Sequence, residues 1–518
     1  MTTSQRMIKN LYRDSVALMQ FSEKLRALEG IKQASAVMAT ENNISLLVEA
    51  GLLAAAVPPS PNDLLIVVEA SDETTAGSAL DSAEAMLKAK SADSGEGGVR
   101  RVPPRSIEMG LESMPSANFV LISSPGEYAA AEARKALQLG LHVMMFSDNV
   151  SMEEEIPLKQ YAREHDLLVM GPDCGTAIIN GIPLGFANVV RRGNIGVVAA
   201  SGTGLQQVTS LIDRFGCGIT QAIGTGGHDL KSEVGGITML QGIEALTKDK
   251  ATKVILLVSK PPSSDVMNKV LDKARQSKKP VVVEFIGADP AGITGGNIFG
   301  VKTLEDAAFA SVLISKGKTV KKFSSILPAK YRSLVKPAQK RLKKGQKYIR
   351  GLFSGGTFCY ETVLLLSESL GKVYSNTPIK KEEKIPNVWE SLEHTVIDLG
   401  DDLFTQGRPH PMIDFRLRNE RIVQEAKDPA TAVILLDIVL GFGSNMDPAG
   451  ELIPAIQQAQ KIASKAKRNI VFVGSVCGTE SDPQNLSLQE SRLQEAGVIL
   501  TESNAQAARL AAAIVDRS

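Results

Sequence analysis

Three short segments rich in glycine, serine and threonine could bind an anion. Each follows a stretch that is interpreted as a buried strand and forms the turn from that strand into a helix. Such a turn offers unpaired backbone N–H groups and the positive end of a helix dipole, which suits a phosphate or a carboxylate. Ordinary strand-to-helix loops use the same residue types, so the repetition carries more weight than any single copy. The positions are Ser201, Gly202, Thr203 and Gly204; Gly441, Phe442, Gly443 and Ser444; and Gly355, Gly356 and Thr357.

A charged loop in the C-terminal third could bind a carboxylate or carbamoyl oxygen and transfer a proton. His410 lies between two prolines and two positions after Arg408, and Asp401 and Asp414 flank the same stretch. Imidazole changes charge near neutral pH, and charged groups this dense beside a turn are costly to bury without a role. The alternative is a loop histidine that hydrogen-bonds a carbonyl group. His228, after another strand, could line the first glycine turn or lie in a surface turn.

The cysteines and the remaining histidines predict no metal centre. Cys174 could be a thiol nucleophile, but no histidine is near it in sequence, so a buried small residue is the favoured interpretation. The four cysteines form no CxxC pair, which is typical of a reducing compartment. The N-terminus has no apolar signal core and no apolar run reaches spanning length, so we expect a cytoplasmic protein. The histidines interpreted as structural are His142, His165 and His394.

The elements that must position these residues form repeated α/β units. Buried strands alternate with helical segments, which predicts several doubly wound parallel-sheet domains of the Rossmann or flavodoxin type after a small α+β N-terminal unit. A chain of 518 residues needs several such domains. The predicted regions are residues 1–105 for the small unit, with a mobile loop from Lys88 to Arg105, then residues 106–190, 191–317, a basic linker at 318–347, and 348–518.

Composition excludes some classes of partner. Lys and Arg number 58 against 57 Asp and Glu, so the net charge of +1 calls for neither nucleic acid nor an anionic membrane. Only 4% of the residues are aromatic, which argues against platforms for base stacking. The linker is rich in Lys and Arg, and a solvated interdomain segment is favoured there over a nucleic-acid patch.

Longer stretches of the sequence carry a family resemblance. They are Met145–Val150, Met170–Ala177, Arg192–Gly196, Ala200–Gly204, Val258–Pro262, Asp398–Asp402, Gly407–Asp414 and Gly441–Ser444. On these stretches the sequence resembles the FdrA family of acyl-CoA-synthetase-like proteins and, more distantly, both subunits of succinyl-CoA ligase fused. The resemblance implies a CoA-binding-like Rossmann domain at 106–190, a ligase-α-like flavodoxin-like domain at 191–317, and a ligase-β C-terminal-like domain at 348–518.

The resemblance also implies a site for phosphate. In the ligases two helix N-termini, one from each subunit, hold the phosphate of a phosphohistidine, and the matching positions here are Ser201–Gly204 and Gly441–Ser444. The loop after Glu284, where the ligase histidine should fall, contains no histidine. Lys260 corresponds to the ligase glutamate that contacts the phosphohistidine, and a cation there suits a bound, mobile phosphate. No segment has the character of an ATP-grasp domain.

Three functions follow as hypotheses. The preferred one is acyl or carbamoyl transfer involving phosphate, with Lys260, Arg408 and His410 in catalytic roles; the resemblance implies a subunit of an oxamate (oxalurate) carbamoyltransferase complex in purine and allantoin degradation. The second is an acyl-CoA synthetase, with CoA as its cofactor, that borrows its ATP-handling part from another chain. The third is a non-catalytic scaffold that keeps a small-molecule pocket. We expect other subunits and a homo-oligomer as partners, with no metal.

Overall fold

The computed structural model describes residues 2–13, 15–49, 51–53, 58–92, 104–320, 327–405 and 408–516. They fall into two compact units, each described by itself below. The first comprises Met1–Ala117 and Asp402–Asp414, and the second comprises Asn118–Asp401 and Phe415–Ser518. In the part of the chain that is described, no helix has both the length and the apolar character needed to cross a membrane.

The first unit is the predicted small α+β unit. Its antiparallel sheet has the order β1-β3-β2. The central strand alternates faces: Leu64, Ile66 and Val68 join one apolar cluster, while Leu65 and Val67 join another. The elements are β1 (Thr2–Ile8), α1 (Ser15–Arg26), β2 (Ile31–Ala39), α2 (Glu41–Glu49), β3 (Ser60–Ala70), α3 (Glu73–Ala92) and α4 (Ile107–Ser113).

The predicted mobile loop is partly helical. It was expected from Lys88 to Arg105, but α3 continues through Ala92. The segment Lys88–Ala92 consists of Lys, Ala and Ser and lacks Gly and Pro, so a helix can extend into it despite its low apolar content. Residues 93–103 of the predicted loop lie outside the described residues.

The second unit begins with a small parallel sheet of order β4-β5-β6. Alanines on one face of its first helix, Ala129, Ala133 and Ala136, are fully buried. The next helix begins at a capping box formed by Ser151 and Glu154. The elements are β4 (Phe119–Ile122), α5 (Gly126–Gln138), β5 (His142–Met145), α6 (Met152–Glu164) and β6 (Val169–Met170).

A seven-stranded sheet follows, with the order β13-β12-β11-β9-β10-β7-β8. Its strands are parallel except for the β7–β8 hairpin, which is antiparallel and pairs with β10. Residues of that hairpin were assigned to the preceding domain, but Asn180 and Gly181 both have positive φ and form the tight turn that a two-residue hairpin requires. The elements are β7 (Thr176–Ile179), β8 (Ile182–Gly185), β9 (Arg192–Ala200), α7 (Gly202–Arg214), β10 (Ile219–Gly224), α8 (Ile237–Lys248), β11 (Val254–Ser259), α9 (Ser264–Gln276), β12 (Val281–Phe285), α10 (Pro290–Ile293), β13 (Ile298–Gly300) and α11 (Leu304–Ser315).

The predicted basic linker contains a helix, α12 (Ala329–Arg341), that packs on the second unit. Tyr331 and Ala338 are buried, and the Tyr331 hydroxyl accepts a hydrogen bond from the Glu502 backbone N–H at 2.9 Å. Gln339 donates to the Ala513 carbonyl at 3.0 Å. The basic side chains therefore occupy the outer face of an amphipathic helix instead of a solvated linker.

A six-stranded parallel sheet completes the second unit, with the order β15-β16-β14-β17-β18-β19. All nine residues of its strand β17 are buried, which fits a central position in a sheet covered on both faces. A short 3-10 helix spans Lys381–Glu383. The elements are β14 (Tyr348–Phe353), α13 (Gly356–Leu370), β15 (Tyr374–Ser375), β16 (Thr395–Asp398), α14 (Asp402–Thr405, in the segment grouped with the first unit), α15 (Arg416–Glu425), β17 (Thr431–Val439), α16 (Pro448–Lys465), β18 (Val471–Cys477), α17 (Leu486–Glu495), β19 (Val498–Thr501) and α18 (Asn504–Val515).

Helix α7 connects the two larger sheets. Its ten residues from Thr203 to Ile212 are all buried. The helix follows β9 of the seven-stranded sheet, and near its end Arg214 donates to the Val476 carbonyl of β18 in the six-stranded sheet. The end of α7 is thereby held beside the carboxyl end of β18.

Candidate anion-binding site

The N-termini of α7 and α13 meet in the second unit. Ser201 is the N-cap of α7, and its hydroxyl accepts a hydrogen bond from the Gly204 N–H at 3.0 Å. The same hydroxyl lies 2.5 Å from the Thr357 hydroxyl in the first turn of α13. Both helices follow strands directly, so two sets of open first-turn N–H groups and two positive dipole ends converge.

The approach of the two helices requires glycine. A Cβ atom at Gly355, the N-cap of α13, would lie 2.9 Å from Cγ2 and 3.1 Å from Oγ1 of Thr203. Gly355 also leaves α13 without a side-chain cap. The helix start therefore presents bare backbone, which suits close contact with an oxyanion.

Lys260 and Asp398 meet at the same helix start. Lys260 follows β11 and is exposed, whereas Asp398 is the last residue of β16 and is buried. A Cβ atom at Gly356 would lie 2.5 Å from Oδ2 of Asp398 and 3.5 Å from Nζ of Lys260. The first residue of α13 is thus bracketed by an acid and a cation.

Asp398 is a site residue that the sequence analysis missed. Its Oδ1 accepts a hydrogen bond from the Gly400 N–H at 2.9 Å, and Asn376 bonds its backbone. Burial raises the pKa of Asp398 to about 6, against the opposing effect of Lys260. The available signal was an aspartate at the carboxyl end of a buried parallel strand, the edge where α/β proteins place their sites.

A buried ion pair holds the start of α13. Asp437 of β17 accepts hydrogen bonds from the Ser354 N–H and the Gly355 N–H, both at 2.8 Å, and from the Ser354 hydroxyl at 2.9 Å. Arg418 of α15 donates to Asp437 at 2.9 Å. The N–H groups of Gly356 and Thr357, the first helical residues, have no partner within the helix and point towards its N-terminal side.

The helix after the Gly441–Ser444 turn begins at Pro448, as expected. Asp447 caps that helix through a bond from the Gly450 N–H at 3.2 Å. The expected facing pair was Ser201–Gly204 with Gly441–Ser444, but the contact shown for Ser201 is with Thr357 of the third glycine turn.

Gly441–Ser444 instead packs against the loop after β8. The Phe442 N–H donates to the Ala187 carbonyl at 2.9 Å, and a Cβ atom at Gly443 would lie 2.7 Å from the Phe186 ring. Asn188 donates to the Leu440 carbonyl at 2.9 Å. The Ser444 hydroxyl is buried and has no hydrogen-bond partner among the described residues.

His228 contacts helix α6. Its Nδ1 lies 3.2 Å from the carboxylate of Glu155, which also pairs with the buried Lys159 at 2.8 Å. Lys159 in turn binds Asp229 at 2.8 Å. This buried network fixes the turn after β10 against the small parallel sheet.

Arg408, His410 and Asp414 lie in the segment Asp402–Asp414, which is grouped with the first unit. Arg408 is exposed and Asp414 is buried. His410 is half-buried, and its Nδ1 accepts a hydrogen bond from the Met412 N–H at 3.3 Å. Asp401 belongs to the second unit, and its charge contributes to the raised pKa of Asp398. Gly407 of the same family stretch lies outside the described residues.

The thiols and the other histidines have structural environments. Burial raises the pKa of Cys174 to about 12, so the thiolate is scarce at neutral pH. His142 accepts a hydrogen bond from the Leu168 N–H at 3.1 Å, and His394 accepts one from the Ile349 N–H at 3.3 Å. Among the described residues no group of His, Cys, Asp and Glu could hold a metal ion.

Three family models match the chain. A CoA-ligase model matches residues 352–514, a CoA binding domain model matches residues 190–287, and a model of the AllF heavy metal-associated domain matches residues 1–103. The CoA-binding match covers β9 to β12 of the seven-stranded sheet. The CoA-binding-like domain was expected earlier in the chain, at residues 106–190. The CoA-ligase match covers most of the six-stranded sheet.

The chain is also similar to individual proteins. It is 43% identical to the uncharacterized protein YahF of Escherichia coli strain K12 over 503 residues, which are 97% of this chain and 96% of that protein. It is 27% identical to the alpha subunit of the ADP-forming succinate–CoA ligase of Aquifex aeolicus over 36% of this chain and 63% of that subunit. The solved apo structure of dinucleotide-forming acetyl-coenzyme A synthetase 1 from Ca. Korarchaeum cryptofilum is 14% identical, with a TM-score of 0.31, over 77% of this chain and 82% of that one.

The N-terminal residues do not fit the heavy metal that one family model names. Residues 1–103 contain neither cysteine nor histidine, so methionine is the one type of soft-metal ligand present. Their acidic side chains suit hard cations and are not grouped as a metal site in the part that is described. This match is therefore a likeness without the Cys or His ligands of a heavy-metal site.

Proposed function

This chain belongs to the FdrA family of acyl-CoA-synthetase-like proteins, with the architecture of fused succinyl-CoA ligase subunits, and we propose that it transfers an acyl-type group to or from phosphate. The observation that carries the proposal is the 2.5 Å contact between the Ser201 and Thr357 hydroxyls, which brings two helix N-termini together. Phosphate binds between these helix starts, with Lys260 supplying the side-chain cation.

The chemistry of the site supports phosphate as a reactant in its own right. The loop after β12, residues 287–297, contains no histidine that could become phosphorylated. Lys260 attracts the dianion and stabilises charge that develops during transfer. Two helix starts hold the attacking oxygen in place, which lowers the entropic cost of the reaction.

We further propose that the group transferred is carbamoyl. A phosphate oxygen attacks the carbamoyl carbon of oxalurate, a C–O bond forms, and the bond from that carbon to the oxamate nitrogen breaks. The nitrogen takes up the proton that the phosphate loses, so the products are carbamoyl phosphate and oxamate. Arg408 and His410, which lie in the segment grouped with the first unit, remain catalytic candidates from the sequence alone. The chain acts as one subunit of a complex, in keeping with relatives that are named as ligase subunits.

The test is phosphate-dependent cleavage of oxalurate. Purified protein, alone and with proteins that co-purify with it, is incubated with oxalurate and phosphate, and carbamoyl phosphate and oxamate are quantified. We expect both products in equal amounts, and neither without phosphate. The Lys278→Glu variant, whose exposed lysine lies between α9 and β12, should cleave oxalurate at the wild-type rate. Cleavage that proceeds at the same rate without phosphate would contradict the proposal.

A second candidate is an acyl-CoA synthetase that needs an ATP-handling partner. One observation favours it: α5 begins at Gly126 without a side-chain cap, and the preceding Ser124 hydroxyl is buried with no partner among the described residues. Ser124 and the first turn of α5 would hold the pyrophosphate of CoA, which when bound supplies a thiol as the acyl acceptor. CoA retained through purification, and acyl-CoA formed only when ATP and a partner are added, would support this function over the first.

A non-catalytic scaffold is the third hypothesis. It predicts no change in thermal unfolding with phosphate, carbamoyl phosphate or CoA, because a ligand that binds the native state raises its stability. A shift with any of the three ligands would reject it.

A further inference from the structure

Asp398 is an acidic side chain at the proposed phosphate-binding site, where a negative charge would oppose the binding of phosphate. Its Oδ2 lies 2.5 Å from the point where a Cβ atom of Gly356 would be, at the first residue of α13. Lys260 Nζ lies 3.5 Å from the same point. An ionised carboxylate here would repel an oxyanion bound at the helix start, whereas a protonated one would donate a hydrogen bond to it.

The surroundings of Asp398 favour a proton on its carboxyl group. Burial is the largest effect and raises its pKa to about 6, with Asp401 after the strand and Asp437 on β17 adding like charge. Lys260 at the end of β11 acts in the opposite direction. The Cys359 thiol of α13 also faces it, and burial raises the pKa of that thiol, so it is neutral. A bound dianion adds further negative charge and strengthens the preference for the protonated form.

We propose that Asp398 carries the proton of the transfer reaction: it is protonated while an oxyanion occupies the start of α13 and passes that proton to the leaving atom. This inference rests on the proposed function, whose phosphate site it completes. It names a catalytic group on β16 that contacts the reacting oxyanion.

Each proton that is released in the step is taken up by a named group. The protonated Asp398 gives its proton to the leaving nitrogen as the bond from the acyl carbon to that nitrogen breaks. A phosphate oxygen forms the new bond to the acyl carbon, and monohydrogen phosphate passes its proton to the Asp398 carboxylate. The protonated carboxyl group is thereby regenerated, and no oxidant, reductant or further reactant is needed.

The other groups at the helix starts are less suited to this role. The Ser201 and Thr357 hydroxyls bond each other, and an alcohol is a far weaker acid than a carboxylic acid. Lys260 is exposed and is needed as a cation. His228 is engaged by Glu155 on α6. Asp398 combines contact with the helix start and a pKa near the working pH of a proton carrier.

The experiment measures binding of inorganic sulfate, a tetrahedral dianion that does not titrate near neutral pH, between pH 6 and 8. The wild type should bind sulfate more weakly as pH rises, by up to about tenfold per pH unit, because binding takes up one proton. Asp398→Asn should bind it with little pH dependence, and more tightly than the wild type at pH 8. Asp272→Asn, an exposed aspartate on α9, is the matched control and should behave like the wild type.

Two further measurements remove dependence on a single variant. Calorimetry of the wild type with phosphate in buffers of different ionisation enthalpy should show proton uptake beyond that of phosphate itself. In the transfer assay, Asp398→Asn should lower kcat by about 100-fold or more while the KM for phosphate does not rise.

The outcomes distinguish failure of the role of Asp398 from failure of the proposed phosphate site. Sulfate binding with the same pH dependence in wild type and Asp398→Asn, or wild-type calorimetry without proton uptake, would overturn the role of Asp398 and leave the phosphate site standing. Absence of sulfate and phosphate binding by the wild type across the whole pH range would overturn the proposed function itself.

Discussion

The hydroxyl of Ser201 lies 2.5 Å from the hydroxyl of Thr357, although the two residues are 156 positions apart in the chain. Ser201 caps a helix that follows the seven-stranded sheet, and Thr357 is in the first turn of a helix that follows the six-stranded sheet. The contact therefore joins two domains at their helix starts. Any ligand bound there stabilises both helix starts together.

The first prediction concerns coupling between these two hydroxyls. Ser201→Ala should lower the free energy of unfolding by about 1 kcal/mol through loss of the N-cap. Thr357→Val keeps the side-chain shape and removes the hydroxyl contact, so it should lower the free energy of unfolding by a similar amount. The double variant should lose less than the sum of the two, by about 0.5–1 kcal/mol, because both changes remove one shared bond. Urea unfolding of all four proteins measures this coupling.

A second cap supplies the control for that cycle. Thr303 caps α11 through a bond from the Asp306 N–H at 3.1 Å. Thr303→Ala should destabilise by a similar amount, and its effect should add to that of Thr357→Val. Equal coupling in both cycles would mean that the Ser201–Thr357 contact contributes nothing of its own.

The second prediction concerns Gly356→Ala. Alanine is the better helix former by about 1 kcal/mol, so stability should hold. The added Cβ atom, however, would lie 2.5 Å from Oδ2 of Asp398. It would therefore displace the Asp398 carboxyl group into the space beside Lys260, where phosphate is proposed to bind. Phosphate affinity measured by calorimetry should fall about tenfold or more, equivalent to about 1.4 kcal/mol. Gly292→Ala in α10, with open space around its Cβ position, should bind phosphate normally.

The general architecture was predictable because strand and helix periods are local properties. The run from Ile195 to Ala200 is apolar and β-branched, and the residues after Ser201 have helical spacing, so β9 and α7 follow from sequence alone. The same holds for β17, and the structure confirms repeated parallel-sheet domains after a small N-terminal unit.

The partner of Ser201 was not predictable in this way. Three glycine turns had the right residue types, and the choice among them depends on how two sheets pack around α7. The Gly441–Ser444 turn was expected to face Ser201, but its helix starts four residues after Ser444 and is capped by Asp447. The start of that helix was expected near Pro448, so what the sequence could not provide is the packing that brings Thr357 to Ser201.

Asp398 was missed for a related reason. A single aspartate after an apolar strand is common, and only the tertiary structure shows that its oxygen lies against the first residue of α13. Lys260, in contrast, was named from the resemblance, and the structure places its Nζ near Gly356. Long-range proximity between β11, β16 and α13 depends on strand order, which residue spacing does not encode.

The third prediction concerns Lys260→Glu. Reversing this charge should weaken phosphate binding by about 10- to 100-fold, or about 1.4–2.8 kcal/mol, and added salt should narrow the difference from the wild type. Because Lys260 is exposed, the free energy of unfolding should change by less than about 0.5 kcal/mol. Lys278→Glu controls for the change in net charge. Equal phosphate affinity of Lys260→Glu and the wild type in calorimetry would contradict the placement of phosphate beside α13.

The fourth prediction concerns Glu284, a fully buried residue of β12 whose carboxyl oxygens have no hydrogen-bond partner in the described part of the chain. Burial raises its pKa well above the ordinary value, and Glu361 and Asp306 add like charge. Because the native pKa exceeds the unfolded one, the native state holds the proton more tightly. This residue therefore makes stability fall as pH rises from about 4.5.

Glu284→Gln removes that dependence. Its free energy of unfolding should exceed that of the wild type by at least about 1 kcal/mol at pH 8, because each unit by which the native pKa exceeds the unfolded one is about 1.4 kcal/mol. It should match the wild type near pH 4, where the carboxyl group is largely neutral in both the native and the unfolded state. Thermal unfolding at the two pH values measures the difference. Glu368→Gln, on the exposed part of α13 and paired with Lys302 at 2.7 Å, is the matched control and should change stability by less than about 1 kcal/mol at either pH. A Glu284→Gln protein that is less stable than the wild type at pH 8 would show that other contacts stabilise the Glu284 carboxylate against its burial and against the like charge of Glu361 and Asp306.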